Sequence, residues 1–110
     1  MRERSVNKTE LTRAIEHRTE WSRRESEDAL AAVLAVIGDA VAEGDRVTIA
    51  GFGTFEKRER KARKARNPQT GGTVKVKKTS VPAFKPSAKF KAYVASSKRD
   101  QAAFRKQRDD

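Results

Sequence analysis

Residues 57–78 read KRERKARKARNPQTGGTVKVKK, and the fold turns on how this stretch is read. It holds ten bases, Lys57, Arg58, Arg60, Lys61, Arg63, Lys64, Arg66, Lys75, Lys77 and Lys78, against one acid, Glu59. That is +9 of the chain's +11, because the remaining residues hold 16 bases and 14 acids. Helix propensity alone favours a helix over Lys57 to Arg66. Yet at neither the helical nor the strand period does the stretch gain an apolar face to bury. Asn67 to Gly72 is a turn by composition, and Thr73-Val74-Lys75-Val76-Lys77 alternates like a strand. The economical geometry is a two-stranded ribbon, tipped by residues 67–72 and projecting into solvent. A block of like charge destabilises a compact fold unless an anion neutralises it. The partner it calls for is a polyanion.

Outward from the ribbon, the flanks supply a body. Asn7-Lys8-Thr9-Glu10 has the pattern of a helix start, with Leu11, Ala14 and Ile15 following at helical spacing to about Thr19. Ser22-Arg23-Arg24-Glu25 repeats the pattern. Behind it Ala29, Leu30, Val33, Leu34, Val36, Ile37, Ala40 and Val41 form a wide apolar face, with Gly44 as the stop. Trp21 is expected to pack at the corner between the two helices. Val47-Thr48-Ile49 reads as a strand, and Gly51-Phe52-Gly53-Thr54-Phe55 as a strand with a bulge or a close backbone approach. Val81, Pro82, Phe84 and Pro86 return the chain to the body. Ser87 caps a last helix carrying Phe90, Tyr93 and Val94, and beyond Ala95 either a helical extension through Phe104 or fraying is expected. The class is α+β: a helical base of two N-terminal helices and one C-terminal helix, with a short antiparallel sheet extended into a β-ribbon arm. So small a core is marginal, and the apolar face of the second helix exceeds what one short helix covers. Both facts point to a dimer.

Composition excludes much else. With 110 residues there is room for one domain. Zero Cys and a single His, His17, leave no disulfide, no thiolate and no His-based metal site. No apolar run approaches the roughly 18 residues of a membrane span, and Met1 to Ser5 has no signal-peptide core. Gly51-x-Gly53 lacks the third glycine and the Lys-Ser/Thr of phosphate loops. Glu25, Glu27 and Asp28 fall on a solvated helix start, and no nucleophile-base pair is visible. Catalytic residues, metal and cofactor are therefore all assigned as none. A small, soluble, intracellular, basic binding protein remains.

Three motifs carry a resemblance. Gly51-Phe52-Gly53-Thr54-Phe55, Arg66-Asn67-Pro68-Gln69-Thr70-Gly71 and Val81-Pro82-Ala83-Phe84-Lys85-Pro86 resemble the HU and integration-host-factor family of bacterial DNA-bending proteins. Thr73 to Lys77 and Phe90-Lys91-Ala92 look most like its actinobacterial HU branch. The likeness divides the chain into an extension over 1–6, an HU-like domain over 7–94 with its arm at 57–78, and a short charged tail over 95–110. It implies an intertwined homodimer whose two arms reach around the DNA minor groove, with the tip proline wedged between base pairs. It implies a nucleoid-associated, cytoplasmic protein that binds, bends and condenses double-stranded DNA with little sequence preference, with nicked, bent or structured DNA as further expected partners and RNA as a weak one.

The chemistry of the arm suits that role. Arg and Lys neutralise phosphates, and Pro68, rigid and without a donor, can unstack a base step. Arg66, Asn67 and Gln69 flank it with hydrogen-bonding groups, and Lys8, Lys85 and Lys89 complete the candidate DNA-binding set beside the ten bases of the arm. Departures from the family pattern stand beside the likeness. Ala65 replaces a common Gly, and Lys77-Lys78 replaces Pro-Ala, adding charge and an expected ladder donor. Ser87-Ala88 replaces Gly-Lys, so that lysine's phosphate contact does not carry over. The tail ends in Asp109-Asp110, which puts tail-driven compaction in doubt. Two alternatives stay open: a site-specific bending factor like integration host factor, and an RNA- or ribosome-associated basic protein. The arm contains no aromatic residue for base stacking, which favours duplex DNA over RNA.

Overall fold

The computed structural model describes residues 4–66, 69 and 71–109. The side chains of Ala65, Arg66, Val74 and Val76 are also outside the description. Along the chain run α1 (Lys8–Thr19), α2 (Arg23–Ala42), β1 (Val47–Ile49), β2 (Gly53–Arg60), β3 (Arg63–Arg66), β4 (Thr73–Val76), β5 (Thr79–Pro86), α3 (Ala88–Ala95) and α4 (Lys98–Asp109). The chain divides within α2 into two compact units, the first ending at Asp39 and the second beginning at Ala40.

In the first unit both helix starts are capped as their sequences require. The Asn7 side chain accepts from the Glu10 N–H at 2.8 Å. Ser22 and Glu25 form a reciprocal box: the Glu25 N–H donates to Ser22 Oγ and the Ser22 N–H to Glu25 Oε1, both at 3.1 Å. The Ser22 backbone N–H, and after it the Ser22 hydroxyl, hold the Glu25 carboxyl below its usual range. Glu20 ends α1 in a left-handed conformation (φ 65°), its N–H bonded to the Glu16 carbonyl. The turn is so short that Trp21 is not covered. It is 49% exposed, contrary to the packed corner its position suggests. Arg4 reaches Glu10 at 3.2 Å, so the residues before α1 are tied to it in part; Met1 to Glu3 lie outside the described residues.

The second unit opens with the end of α2. Gly44 (φ 96°) and Asp45 donate to the carbonyls of Val41 and Ala40, both at 2.9 Å, the double bond of a glycine-terminated helix. A three-stranded antiparallel sheet follows, in the order β1-β2-β5. Its register sets Phe55 against Phe84 and Glu56 against Ala83. Strand alternation then gives the sheet an aromatic face and a polar face. On the aromatic face Phe52, Phe55, Phe84 and, from α3, Phe90 cluster with centroids 4.7 to 6.4 Å apart. Gly53 is where the backbone approaches closely: a Cβ there would lie 2.6 Å from the Lys85 carbonyl oxygen and from the Phe84 ring. Pro82 and Pro86 fall on β5, which is an edge of this sheet and tolerates their missing donors.

The arm is a ribbon, as the lack of an apolar face requires. β3 pairs with β4, from Arg63 opposite Val76 to Arg66 opposite Thr73. It does not run unbroken from the body, because Lys61-Ala62 on one side and Lys77-Lys78 on the other lie outside the strands. Lys77 and Lys78 therefore add charge without the ladder position expected of them. Gly71 (φ 72°) belongs to the connecting turn, as does Gln69; Asn67, Pro68 and Thr70 are outside the described residues.

The C-terminal end corrects the sequence reading most. In place of one helix that extends or frays there are two. Ser96 ends α3 through its Oγ, which donates to the Tyr93 carbonyl at 2.7 Å, and the Ser97 side chain accepts from the Asp100 N–H. α4 then folds back on α3, with the Tyr93 and Phe104 rings stacked at 5.8 Å and Arg105 donating to the Tyr93 hydroxyl at 3.0 Å. A helix so polar is marginal by itself, and this aromatic contact supplies what its propensity does not.

Candidate nucleic-acid interface

The arm brings together the cations expected to meet an anion. Arg63, Lys64, Lys75 and Lys77 line one groove of about 510 Å³ with Ala62, and all four are exposed. Lys64 faces Lys75 directly across the ladder. Like charges at opposed positions destabilise a strand pair. A polyanion laid along the arm removes that repulsion and releases its own counterions. Arg60 and Lys61 continue the exposed basic run toward the body. Arg66 closes β3, Gln69 is exposed in the turn, and Asn67 and Pro68, the proposed wedge among them, lie outside the described residues.

The other candidates are drawn into contacts of their own. Lys57 donates to the Ala42 carbonyl at 3.2 Å. The last turn of α2 carries no base, so this lysine supplies from β2 the positive charge that a helix C-terminus favours. Lys78 pairs with Glu59 at 3.7 Å, both well exposed. Arg58 and Lys85 converge on Glu56 on the polar face of the sheet. Lys8 stands in the first unit, in a cleft of about 380 Å³ where Arg13 and Arg23 are balanced by Glu27 and Asp28. Lys89 is exposed in the first turn of α3. His17 is exposed, as a solvated surface residue should be.

Sequence reasoning missed the Glu56 cluster. The carboxylate meets Arg58 Nη2 and Lys85 Nζ through Oε1, each at 3.2 Å, and Arg46 Nε through Oε2 at 3.5 Å. Its side chain is 14% exposed, while those of Arg58, Lys85 and Arg46 are 51%, 63% and 71% exposed. The hydrogen bond from Lys85, then that from Arg58, holds the carboxyl below its usual range. The only signal in the sequence was two acids, Glu56 and Glu59, among the bases at the entrance to the arm. Which cations it would meet depends on a cross-strand register that the sequence does not state.

Among the described residues there is no cluster of three or more His, Cys, Asp or Glu side chains able to hold a metal, and no helix long and apolar enough to cross a membrane.

A family model described as "Bacterial DNA-binding protein" matches residues 6–95. DNA-binding protein HU 2 of Streptomyces coelicolor is 50% identical over 94 residues, covering 86% of this chain and 43% of that protein. The chain thus spans less than half the length of this relative. DNA-binding protein HU 1 of Bacillus subtilis is 46% identical over 90 residues, covering 82% of this chain and 98% of that protein. The structure is similar to that of Anabaena HU crystallised with DNA, with a TM-score of 0.76, 42% identity, and 83% of this chain and 99% of that one covered. The ribbon arm, the sheet with its aromatic face and the sequence over residues 6–95 agree: the chain belongs to the bacterial DNA-binding protein family, as a member of its HU branch.

Proposed function

We propose that the protein binds double-stranded DNA through the arm and bends it with little regard to sequence, as an architectural protein of the nucleoid and not as an enzyme. The observation that carries this reading is the groove lined by Arg63, Lys64, Lys75 and Lys77, with Lys64 and Lys75 opposed and no acid among the described residues of its wall. Phosphate contacts position a protein on a duplex without reading its sequence. Arg66, Asn67, Pro68 and Gln69 form the part of the arm that enters the minor groove, and Pro68 is the wedge. The remaining cations of the set, Lys57, Arg58, Arg60, Lys61, Lys78, Lys8, Lys85 and Lys89, extend the positive surface around the arm.

The active form is a homodimer. In the single chain Val33, Leu34 and Val36 of α2 are 54%, 51% and 68% exposed, and Val41 is the one buried apolar residue among those described. A second copy of the chain covers such a face.

The test is a mobility shift on linear duplexes of two unrelated sequences, nicked duplex and RNA, all of equal length, at two salt concentrations. The expected result is binding to all the duplexes, tighter for the nicked one, whose bending costs less, with affinity falling steeply with salt. Binding that prefers RNA, or binding confined to one DNA sequence, contradicts the proposal.

A further inference from the structure

The Glu56 cluster has the makeup of a phosphate site with the phosphate's place already taken. Three cations from three segments, Arg46 before β1, Arg58 on β2 and Lys85 on β5, converge on two oxygens of one anionic group at 3.2 to 3.5 Å. Arg58 lies two residues along β2 from Glu56, and Lys85 lies diagonally across the ladder, since Glu56 opposes Ala83. All three share the polar face of the sheet, away from the aromatic cluster. The heads of the cations stay exposed while the carboxylate they meet is largely buried. This differs from the arm, where Arg63, Lys64, Lys75 and Lys77 surround a groove with no acid among the described residues of its wall. The molecule thus carries two cationic surfaces of opposite preparation. One is left open, and the other is neutralised from within.

We propose that Glu56 acts as an internal substitute for one DNA phosphate, holding Arg46, Arg58 and Lys85 so that the sheet face engages one phosphate fewer than its cations would allow. The proposal rests on the reading of the arm as a duplex-binding element and adds a residue that limits and directs the grip. A phosphate reaching this face must displace a carboxylate that already holds three charge-assisted partners, so little is gained by the exchange. At the open groove nothing has to be displaced. The duplex is therefore held through the arm, where it can be bent, and only lightly at the sheet.

The experiment compares the wild type with Glu56→Gln, which keeps the shape of the side chain and removes its charge. Duplex affinity is titrated over a range of salt concentrations. Glu56→Gln should bind more tightly at low salt, and its slope of log affinity against log salt should steepen by about 0.9, the value of one additional phosphate neutralised. The double variant Glu56→Gln/Lys85→Gln should lose most of that gain. A slope for Glu56→Gln equal to or shallower than the wild type overturns the proposal. If circular dichroism shows Glu56→Gln to be unfolded, the wild type decides through amine labelling read by mass spectrometry. Added duplex should suppress labelling of Lys75 and Lys77 strongly and that of Lys85 only slightly. Protection of Lys85 equal to that of Lys75 and Lys77 overturns the proposal equally. A wild type that does not bind duplex at all sinks the reading of the arm first, and this proposal with it.

Discussion

Ser22 and Glu25 satisfy each other's backbone donors at the start of α2, and the sequence shows this pair openly because both members lie within four residues. Losing a cap of this kind costs about 1 kcal/mol, so Ser22→Ala should lower stability by that amount in thermal or urea unfolding. The pH dependence has a definite sign. Glu25 is held below its usual range in the folded chain, so its contribution is present above the ordinary carboxylate range. It is lost as pH falls through the lowered value, and Ser22→Ala should weaken this acid limb of the stability curve. Gly53 is a second residue with a local reason. A Cβ at 2.6 Å from the Lys85 carbonyl oxygen meets backbone that cannot swing away, so Gly53→Ala should destabilise by about 1–3 kcal/mol while Gly38→Ala, with open space around it, should not. The close approach at Gly53 was legible from Gly-Phe-Gly between strand residues. The three partners of Glu56 were not, because they are assembled by register rather than by spacing.

At the scale of elements, the arm was legible for a reason that involves absence. Lys57 to Arg66 has good helix formers but nothing to bury at either period, so only a ribbon exposed on both faces accommodates it. The interruptions at Lys61-Ala62 and Lys77-Lys78 were not legible, since no glycine or proline marks them. Changing Arg63, Lys64 and Lys75 together to Ala should weaken binding to all duplexes alike and lower the salt slope by about 0.9 for each phosphate no longer neutralised. The same variant should fold as well as the wild type, because the Lys64–Lys75 opposition is gone. An unchanged salt slope would move the binding surface off the arm. α4 was half legible. Ser97 followed by Asp100 carries a start signal, but its tie to α3, the Phe104 ring and the Arg105 guanidinium both meeting Tyr93, is made across the turn. Phe104→Ala should cost about 1 kcal/mol and reduce the helical signal in circular dichroism, leaving the arm's salt slope untouched.

For the molecule as a whole, the apolar residues that find no cover are as informative as those that do. Leu34 and Val36 stay open on α2, and Phe52 is 41% exposed even inside its aromatic cluster. The sequence hinted at this through a helix face too wide for its neighbours, although one chain's periodicity carries no information on how a second copy would meet it. Sedimentation should give twice the chain mass, and the melting temperature should rise with protein concentration, as it does when folding and association are one event. A monomer with a concentration-independent melting temperature would contradict the homodimer. Under the proposed function charge and apolar surface have separate tasks, the second building the body and the first gripping the duplex. The central claim is that the arm bends DNA as well as holding it, and Pro68 is the only apolar residue of its tip. Unstacking a base step costs on the order of a few kcal/mol, returned by the surface that bent DNA brings into reach. The direct measurement is energy transfer between the labelled ends of a duplex, titrated with wild type and with Pro68→Ala. The wild type should bring the ends together, and Pro68→Ala should lose most of that transfer while still binding. A wild type that saturates the duplex with no gain in energy transfer would contradict the account.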